Sequence, residues 1–268
     1  MSTWTDKGVV VTGAARGIGR AIAERLHAEG ARLVVADILS DPLAETASAL
    51  DAFAVSGDCS SDLGARRLVD RAQDHLGQID CFIGNAGIAR GEGLDGSSDD
   101  DWADSWEVNV MAHVRATRLL LPGWLERGEG RYVLTASAAG LLTILGQPTY
   151  AVTKHGAEAY AEWLAATYGH RGVKVHAICP QGVLTDMYPG TGDGGLADVI
   201  GHDGALPPAA VADALIAAVE ADEFLVLPHP EVRNYFAYRG TKTDSWLRSM
   251  QKLQQRLDES APDQSTNQ

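Results

Sequence analysis

Hydrophobic positions along this chain fall into two alternating patterns. Short apolar, β-branched runs recur at 8–12 (GVVVT), 32–37 (RLVVAD), 52–55, 79–84 (IDCFIG), 131–136, 173–179 and 224–227 (FLVL). Runs that are apolar with little alternation suit strands covered on both faces. Between them, apolar residues recur at helical spacing over 17–29, 41–50, 62–76, 102–125, 149–168 and 209–221. Strand and helix in strict alternation predict βαβ units. The right-handed crossover rule then gives an α/β fold: one doubly wound domain, a parallel sheet of about seven strands with helices on both faces. No linker or repeat interrupts residues 7–228, so one domain is expected over 1–259.

Two stretches depart from the alternation. Residues 190–208 are dominated by Gly, Asp, Ala and Pro, with a short helical piece at 196–200. They read as a lid over a site, with a plain surface loop as the alternative. Near the C-terminus, Trp246, Leu247, Met250, Leu253, Gln254 and Leu257 form one stripe, predicting an amphipathic helix over 242–258. Packing on the domain and packing on a second subunit are equally compatible with it. The polar residues 260–268 read as a disordered tail.

Composition narrows the class. With 45% apolar residues the 268-residue chain can bury a large core. Twenty-two basic against 36 acidic residues give −14. That balance argues against nucleic acid or an anionic membrane surface as a partner. Apolar runs such as 119–121 stop at Pro122 and Gly123, far short of a membrane span. The polar start (Ser2, Thr3, Asp6) does not read as a signal peptide. Cys59, Cys81 and Cys179 are odd in number and widely spaced, suggesting neither a disulfide framework nor a metal site. The expectation is a reduced, cytoplasmic protein.

The first strand runs into Thr12-Gly13-Ala14-Ala15-Arg16-Gly17-Ile18-Gly19. Glycines there let the backbone turn sharply and approach a pyrophosphate, and the following helix offers its N–H groups and positive dipole end. A Gly-rich loop alone is weak evidence; its position after an N-terminal strand strengthens it. Eighteen residues past Gly19 the second strand ends at Asp37. An acid there accepts hydrogen bonds from ribose hydroxyls and repels a 2′-phosphate, which indicates NAD rather than NADP in a Rossmann-type fold. Arg16 is the dissenting residue, because a cation just before the second glycine suits a 2′-phosphate.

Tyr150 and Lys154 stand four apart, on one helix face. Tyrosine is a poor base at its ordinary pKa near 10, and a nearby ammonium favours its phenolate. Thirteen residues earlier, Ser137 falls at the end of the fifth strand, the sheet edge where ligands bind. A second pair, Tyr238 and Lys242, has Leu225 at that offset and Gly240 within it, and reads as incidental. His155, off the face shared by Tyr150 and Lys154, reads as structural.

Taken together, these motifs resemble the short-chain dehydrogenase/reductase family over residues 7–228. TGAARGIG resembles its TGxxxGxG, Asn85-Ala86-Gly87 its NAG, and Tyr150/Lys154 its YxxxK, with Asn109 and Ser137 at its asparagine and serine positions. The resemblance implies that Tyr150 exchanges a proton with the substrate oxygen and that Ser137 holds that oxygen. Lys154 would bind the nicotinamide ribose and lower the Tyr150 pKa, and Asn109 would hold a relay water. It further implies a cofactor wall of Gly13, Arg16, Gly17, Ile18, Gly19, Asp37, Asp58, Cys59, Asn85, Ala86, Gly87, Pro180, Val183 and Thr185. Read without the family, the alternative for Asn85 and Asn109 is that of simple buried turn or helix residues. One departure stands out: Pro180-Gln181-Gly182-Val183-Leu184-Thr185 resembles PGxVxT with Gln181 where glycine is usual.

Segments expected beside the substrate are mostly apolar: Ala139 and Leu145 after Ser137, then Gln147, Gln181, Met187 and Tyr188. No Lys or Arg lies within 138–153 or 181–208, where an anionic substrate would want one. The expected activity is therefore metal-free, NAD-dependent interconversion of an uncharged, lipophilic secondary alcohol and its ketone. Alternatives are NADPH-dependent carbonyl reduction, a dehydratase or epimerase on the same fold, and a non-catalytic cofactor sensor. The family also implies a homo-oligomer, tetramer or dimer, built on the helices near 102–125 and 150–168.

Overall fold

The computed structural model describes residues 2–188 and 204–260. Most of the predicted 190–208 segment and the 261–268 tail therefore lie outside the described residues. Seven parallel strands run β1 (Gly8–Thr12), β2 (Arg32–Asp37), β3 (Phe53–Ser56), β4 (Cys81–Gly84), β5 (Gly130–Thr135), β6 (Val173–Ile178) and β7 (Leu225–Val226), in the spatial order β3-β2-β1-β4-β5-β6-β7. Side chains alternate across the sheet. Val9 and Val11 join one buried cluster with α1 (Gly17–Ala28) and α8 (Pro208–Glu220). Val10 and Phe82 join a second with α3 (Asp62–Leu76), α5 (Ala112–Arg127) and α7 (Pro148–Tyr168). That two-sided burial is why the strand sequences lack polar alternation. The strand order reverses between β1 and β4, and open α/β sheets carry their ligand crevice at such a point.

Boundaries shift by up to three residues from the pattern, and three helical features lie outside it. The helix predicted over 102–125 is two helices, α4 (Asp99–Trp106) and α5, joined by a π-helical turn at Glu107–Met111. Ser98 and Asp101 form a capping box that starts α4. Pro122 does not end α5, which continues to Arg127 and stops at left-handed Gly128. A single turn, α6 (Ala138–Leu141), follows Ser137. Its small side chains have a packing reason, since a Cβ at Gly140 would lie 2.5 Å from the Lys154 carbonyl oxygen. The helix expected over 41–50 is α2 (Ser40–Ala49), and near the C-terminus there is also α9 (Glu231–Thr241), followed by α10 (Thr243–Ser260). The stripe on α10 is only partly covered: Trp246, Met250 and Leu253 are half-buried and Leu247 is exposed.

The far side of the sheet is pinned by Trp124. It is 1% exposed, donates from Nε1 to the Ile79 carbonyl at 2.9 Å, and meets Tyr132 edge-on. Trp124→Ala is expected to cost about 3–5 kcal/mol of folding stability. Urea denaturation of the two proteins measures it, and a loss under about 1 kcal/mol would mean that this face is not closely packed.

Candidate active site

A cleft of about 450 Å³ opens at the carboxyl edge of β1, β4 and β5. One wall is the turn between β1 and α1. Gly13 and Gly17 have φ of +65° and +57°, conformations that favour glycine. Gly19 is required for another reason: a Cβ there would lie 2.1 Å from the Gly13 carbonyl oxygen. Arg16 is the N-cap residue of α1, yet no side chain caps that terminus and no acid lies in its first turn. The amide groups at the helix start are thus offered to the cleft, and a glycine-lined cradle at an uncapped helix N-terminus fits a dinucleotide pyrophosphate.

Asp37 closes the far end. Its Oδ2 accepts from Ala15 N–H and its Oδ1 from Leu39 N–H, both at 3.0 Å. These bonds fix the carboxylate against the glycine turn. Arg16, which lines the cleft, forms an exposed ion pair with Asp186, another residue of its wall. Asp58 and Cys59 line the same end. Burial raises the Asp58 carboxyl, but hydrogen bonds from Ser60 and Ser61 outweigh it and leave Asp58 below its ordinary value. Burial pushes the Cys59 thiol up to about 11.

Asn85 ties the floor together. Its Nδ2 donates to the Thr12 and Gly13 carbonyls at 3.1 and 3.3 Å, while its Oδ1 accepts from Thr135 Oγ1 at 3.1 Å. Thr12 Oγ1 accepts from the backbone N–H of Asn85 and Ala86. Gly87 leaves room for two polar groups: a Cβ there would lie 3.2 Å from both Asn109 Oδ1 and Lys154 Nζ.

At the other end α7 presents Tyr150 and Lys154 to the cleft, with Ser137 opposite. Ser137 Oγ accepts from Ala139 N–H at 3.1 Å and donates to the Pro180 carbonyl at 3.5 Å. Lys154 Nζ donates to the Thr135 carbonyl at 2.9 Å and lies 5.6 Å from the Tyr150 ring centre. Asn109 is wholly buried in the π turn. Its Oδ1 accepts from Ile88 N–H, and its Nδ2 donates to the Ile88 carbonyl and to Thr153 Oγ1. The amide is spent on positioning the segment after Gly87 against α7. His155 donates to the Ala151 carbonyl of its own helix.

The electrostatics differ from the expected picture. Burial raises the Tyr150 phenol above its ordinary pKa, against a lowering hydrogen bond from Ser137. Burial also brings the Lys154 ammonium down to about 8. In the chain alone, then, loss of water outweighs the hydrogen bond from Ser137. Nearby His113 is driven down to about 3 by burial and by Lys154, and its Nδ1 pairs with Tyr132 OH at 3.0 Å.

Most sequence-derived candidates line this one cleft: Gly13, Arg16, Gly17, Ile18, Asp37, Asp58, Cys59, Asn85, Ala86, Gly87, Ser137, Gln147, Tyr150, Lys154, Pro180, Gln181, Val183, Thr185, Met187 and Tyr188. Four do not. Gly19 and Asn109 lie behind the wall as supports. Ala139 is packed into α6, and Leu145 gives way to its neighbour Ile144 on the wall. The apolar run after Ser137 suggests both as wall residues; the close approach of α6 to α7 accounts for the small residues around Ala139, and Leu145 lies beyond that turn. Several contributors carry no motif. Thr135 and Thr153 contribute hydroxyls, to Asn85 and Asn109. Arg239 of α9 reaches the Leu141 carbonyl beside the serine turn. His229 holds Gln181. Among the described residues no helix is long and apolar enough to cross a membrane, and no cluster of potential metal ligands occurs.

The family model described as short chain dehydrogenase matches residues 7–193. The chain is 34% identical over 239 residues to 1-deoxy-11-beta-hydroxypentalenate dehydrogenase of Streptomyces exfoliatus, covering 85% of this chain and 84% of that protein. It is 34% identical over 195 residues to levodione reductase of Leifsonia aquatica, covering 69% and 72%. A short-chain dehydrogenase/reductase from Burkholderia phymatum, solved in complex with NAD, superposes with a TM-score of 0.82 at 28% identity, covering 91% of this chain and 96% of that one.

The buried lysine has a thermodynamic signature. Its pKa falls from 10.5 to about 8 on folding, so between those values the unfolded chain binds more protons. Stability contributed by this group therefore rises with pH across about 8 to 10.5, as the penalty for a buried charge is relieved. Lys154→Met should gain on wild type at pH 7 relative to pH 10. Urea titrations of both proteins at the two pH values test this; a difference independent of pH would show that Lys154 titrates normally.

Proposed function

The chain belongs to the short-chain dehydrogenase/reductase family, and from that premise we propose that it is an NAD-dependent dehydrogenase of uncharged secondary alcohols. The observation that carries the reading is the shared cleft. A glycine cradle and Asp37 stand at one end, and Ser137, Tyr150 and Lys154 at the other. NAD, when bound, supplies the acceptor for the two electrons and the hydrogen removed from the carbinol carbon. The glycine turn and the start of α1 hold its pyrophosphate, and Asp37 accepts from its adenosine ribose hydroxyls. Arg16 is paired with Asp186, which supports NAD over NADP. Asp58, Cys59, Asn85 and Ala86 border the adenine end. Val183 and Thr185 border the nicotinamide end, with Thr185 Cγ2 only 3.2 Å from where a Gly17 Cβ would stand.

Ser137 holds the substrate oxygen, and Tyr150 takes its proton during oxidation and returns one during reduction. Lys154 anchors the nicotinamide ribose and favours the phenolate once the cleft is filled. Asn109 positions the Ile88 segment and holds the relay water by its main chain, since its amide is already committed. The apolar wall of Ile144 and Met187 suits a lipophilic substrate without a charged group. Exposed Trp106, Val152 and Trp163 on the central helices support a homo-oligomer, and the free cysteines suit the cytoplasm.

Dinucleotide-coupled assays across uncharged secondary alcohols and ketones test the reading. At least one alcohol should be turned over with NAD. Tyr150→Phe should lower kcat about 10²- to 10⁴-fold, with NADH affinity, followed by fluorescence, within a few-fold. Wild-type-like turnover in that variant would overturn the assignment of Tyr150.

A further inference from the structure

Residues 180–185 form a strip along the cleft that reaches from the serine to the glycine turn. At one end the Pro180 carbonyl accepts from Ala138 N–H at 2.8 Å and from Ser137 Oγ at 3.5 Å. At the other, Thr185 Cγ2 lies 3.2 Å from where a Gly17 Cβ would stand. Pro180, Gln181, Val183 and Thr185 all line the cleft. Two segments fasten the strip from behind. Leu206 bridges to Val183, donating to the Gly182 carbonyl at 3.0 Å and accepting from Leu184 N–H at 2.9 Å. His229, just before α9, accepts from Gln181 N–H on Nδ1 at 3.2 Å, and its Nε2 meets the Gly204 carbonyl at 3.1 Å.

These two partners fix the state of the ring. A backbone N–H only donates and a carbonyl only accepts, so His229 is neutral with its hydrogen on Nε2. The ring is 3% exposed, so water does not readily replace either bond, and loss of the Nδ1 acceptor strands the Gln181 N–H. One stiff side chain thereby joins Gln181, Gly204 and the start of α9. It lies beyond residues 7–193, which match the family model, and belongs to none of the motifs above.

We propose that His229 is a positioning residue for the cofactor: its neutral ring, protonated at Nε2, sets the backbone at Gln181 and through it the wall of Val183 and Thr185 at the nicotinamide end. It touches neither cofactor nor substrate. The other end of the cleft is held independently, since Asp37 is fixed by the Ala15 and Leu39 N–H groups. The influence of His229 is therefore confined to the nicotinamide half. This inference rests on the NAD-binding reading above.

The test measures dissociation constants of NADH and of ADP-ribose, which lacks the nicotinamide, by calorimetry. Wild type is compared with His229→Asn, His229→Gln and His229→Leu, each checked for folding by circular dichroism. Asparagine puts an amide oxygen where Nδ1 stands and keeps the bond to Gln181. Glutamine puts an amide nitrogen where Nε2 stands and serves Gly204 alone; leucine serves neither. NADH should bind to the asparagine variant within about threefold of wild type, and to the other two about five- to tenfold more weakly. ADP-ribose should bind to all four within about twofold. NADH affinity unchanged in every folded variant, ADP-ribose affinity falling in step with it, or recovery by glutamine rather than asparagine overturns the proposal and leaves the NAD reading in place. Nitrogen-15 NMR of the wild-type His229 ring needs no substitution: a charged ring, or one protonated at Nδ1 alone, overturns it as well. Failure of wild type to bind NADH overturns both.

Discussion

One amide side chain holds the cleft in shape. Where the strand order reverses, β1 and β4 part, and the backbone groups at their ends lose sheet partners. Asn85 meets that need by donating to Thr12 and Gly13 and accepting from Thr135. Three strand ends and the glycine turn are thereby fixed by one residue. The turn cannot open without breaking its bonds to Asn85, and Thr135, which holds the other end of that amide, is the same residue whose carbonyl receives the Lys154 ammonium. Cradle and lysine are thus positioned by neighbouring atoms of one network. A buried network of this kind is valuable when complete and costly when partly broken.

The second constraint is burial of charge. Lys154 is held in a place that disfavours its ammonium, with a neutral carbonyl and no carboxylate as its described hydrogen-bond partner. The phenol of Tyr150 is likewise raised by burial. On the proposed function, a bound cofactor would change this balance, because hydroxyl partners for the lysine would stabilise its charged form. On this view the acid/base pair reaches its working state with the cofactor in place rather than before it.

Much of the fold was legible because two-sided strands leave an unmistakable apolar run, and glycines at Gly13, Gly17 and Gly19 mark a turn only they permit. The cleft was legible where spacing carried the signal, as for Tyr150 and Lys154 on one helix face. What escaped depended on tertiary contact. The π turn at Asn109 looks like ordinary helix, because nothing local distinguishes an extra residue in a turn. Ala139 reads as a wall residue because small apolar side chains suit both a pocket and a tight helix contact, and the tight approach is seen only in the fold, at the neighbouring Gly140 against the Lys154 carbonyl. The ion pair of Arg16 with Asp186, 170 residues away, is likewise invisible in the sequence. His229 carries no motif, and its clamp on Gln181 exists only once the chain is folded.

The central claim is that the glycine cradle and Asp37 hold NAD in preference to NADP. Thermal unfolding with NADH and, separately, NADPH at equal concentrations tests it most directly. A ligand at about 100 times its dissociation constant adds roughly 2.7 kcal/mol of stability. The account predicts a clear upward shift with NADH and a smaller one with NADPH. A larger shift with NADPH, or none with either, would contradict it.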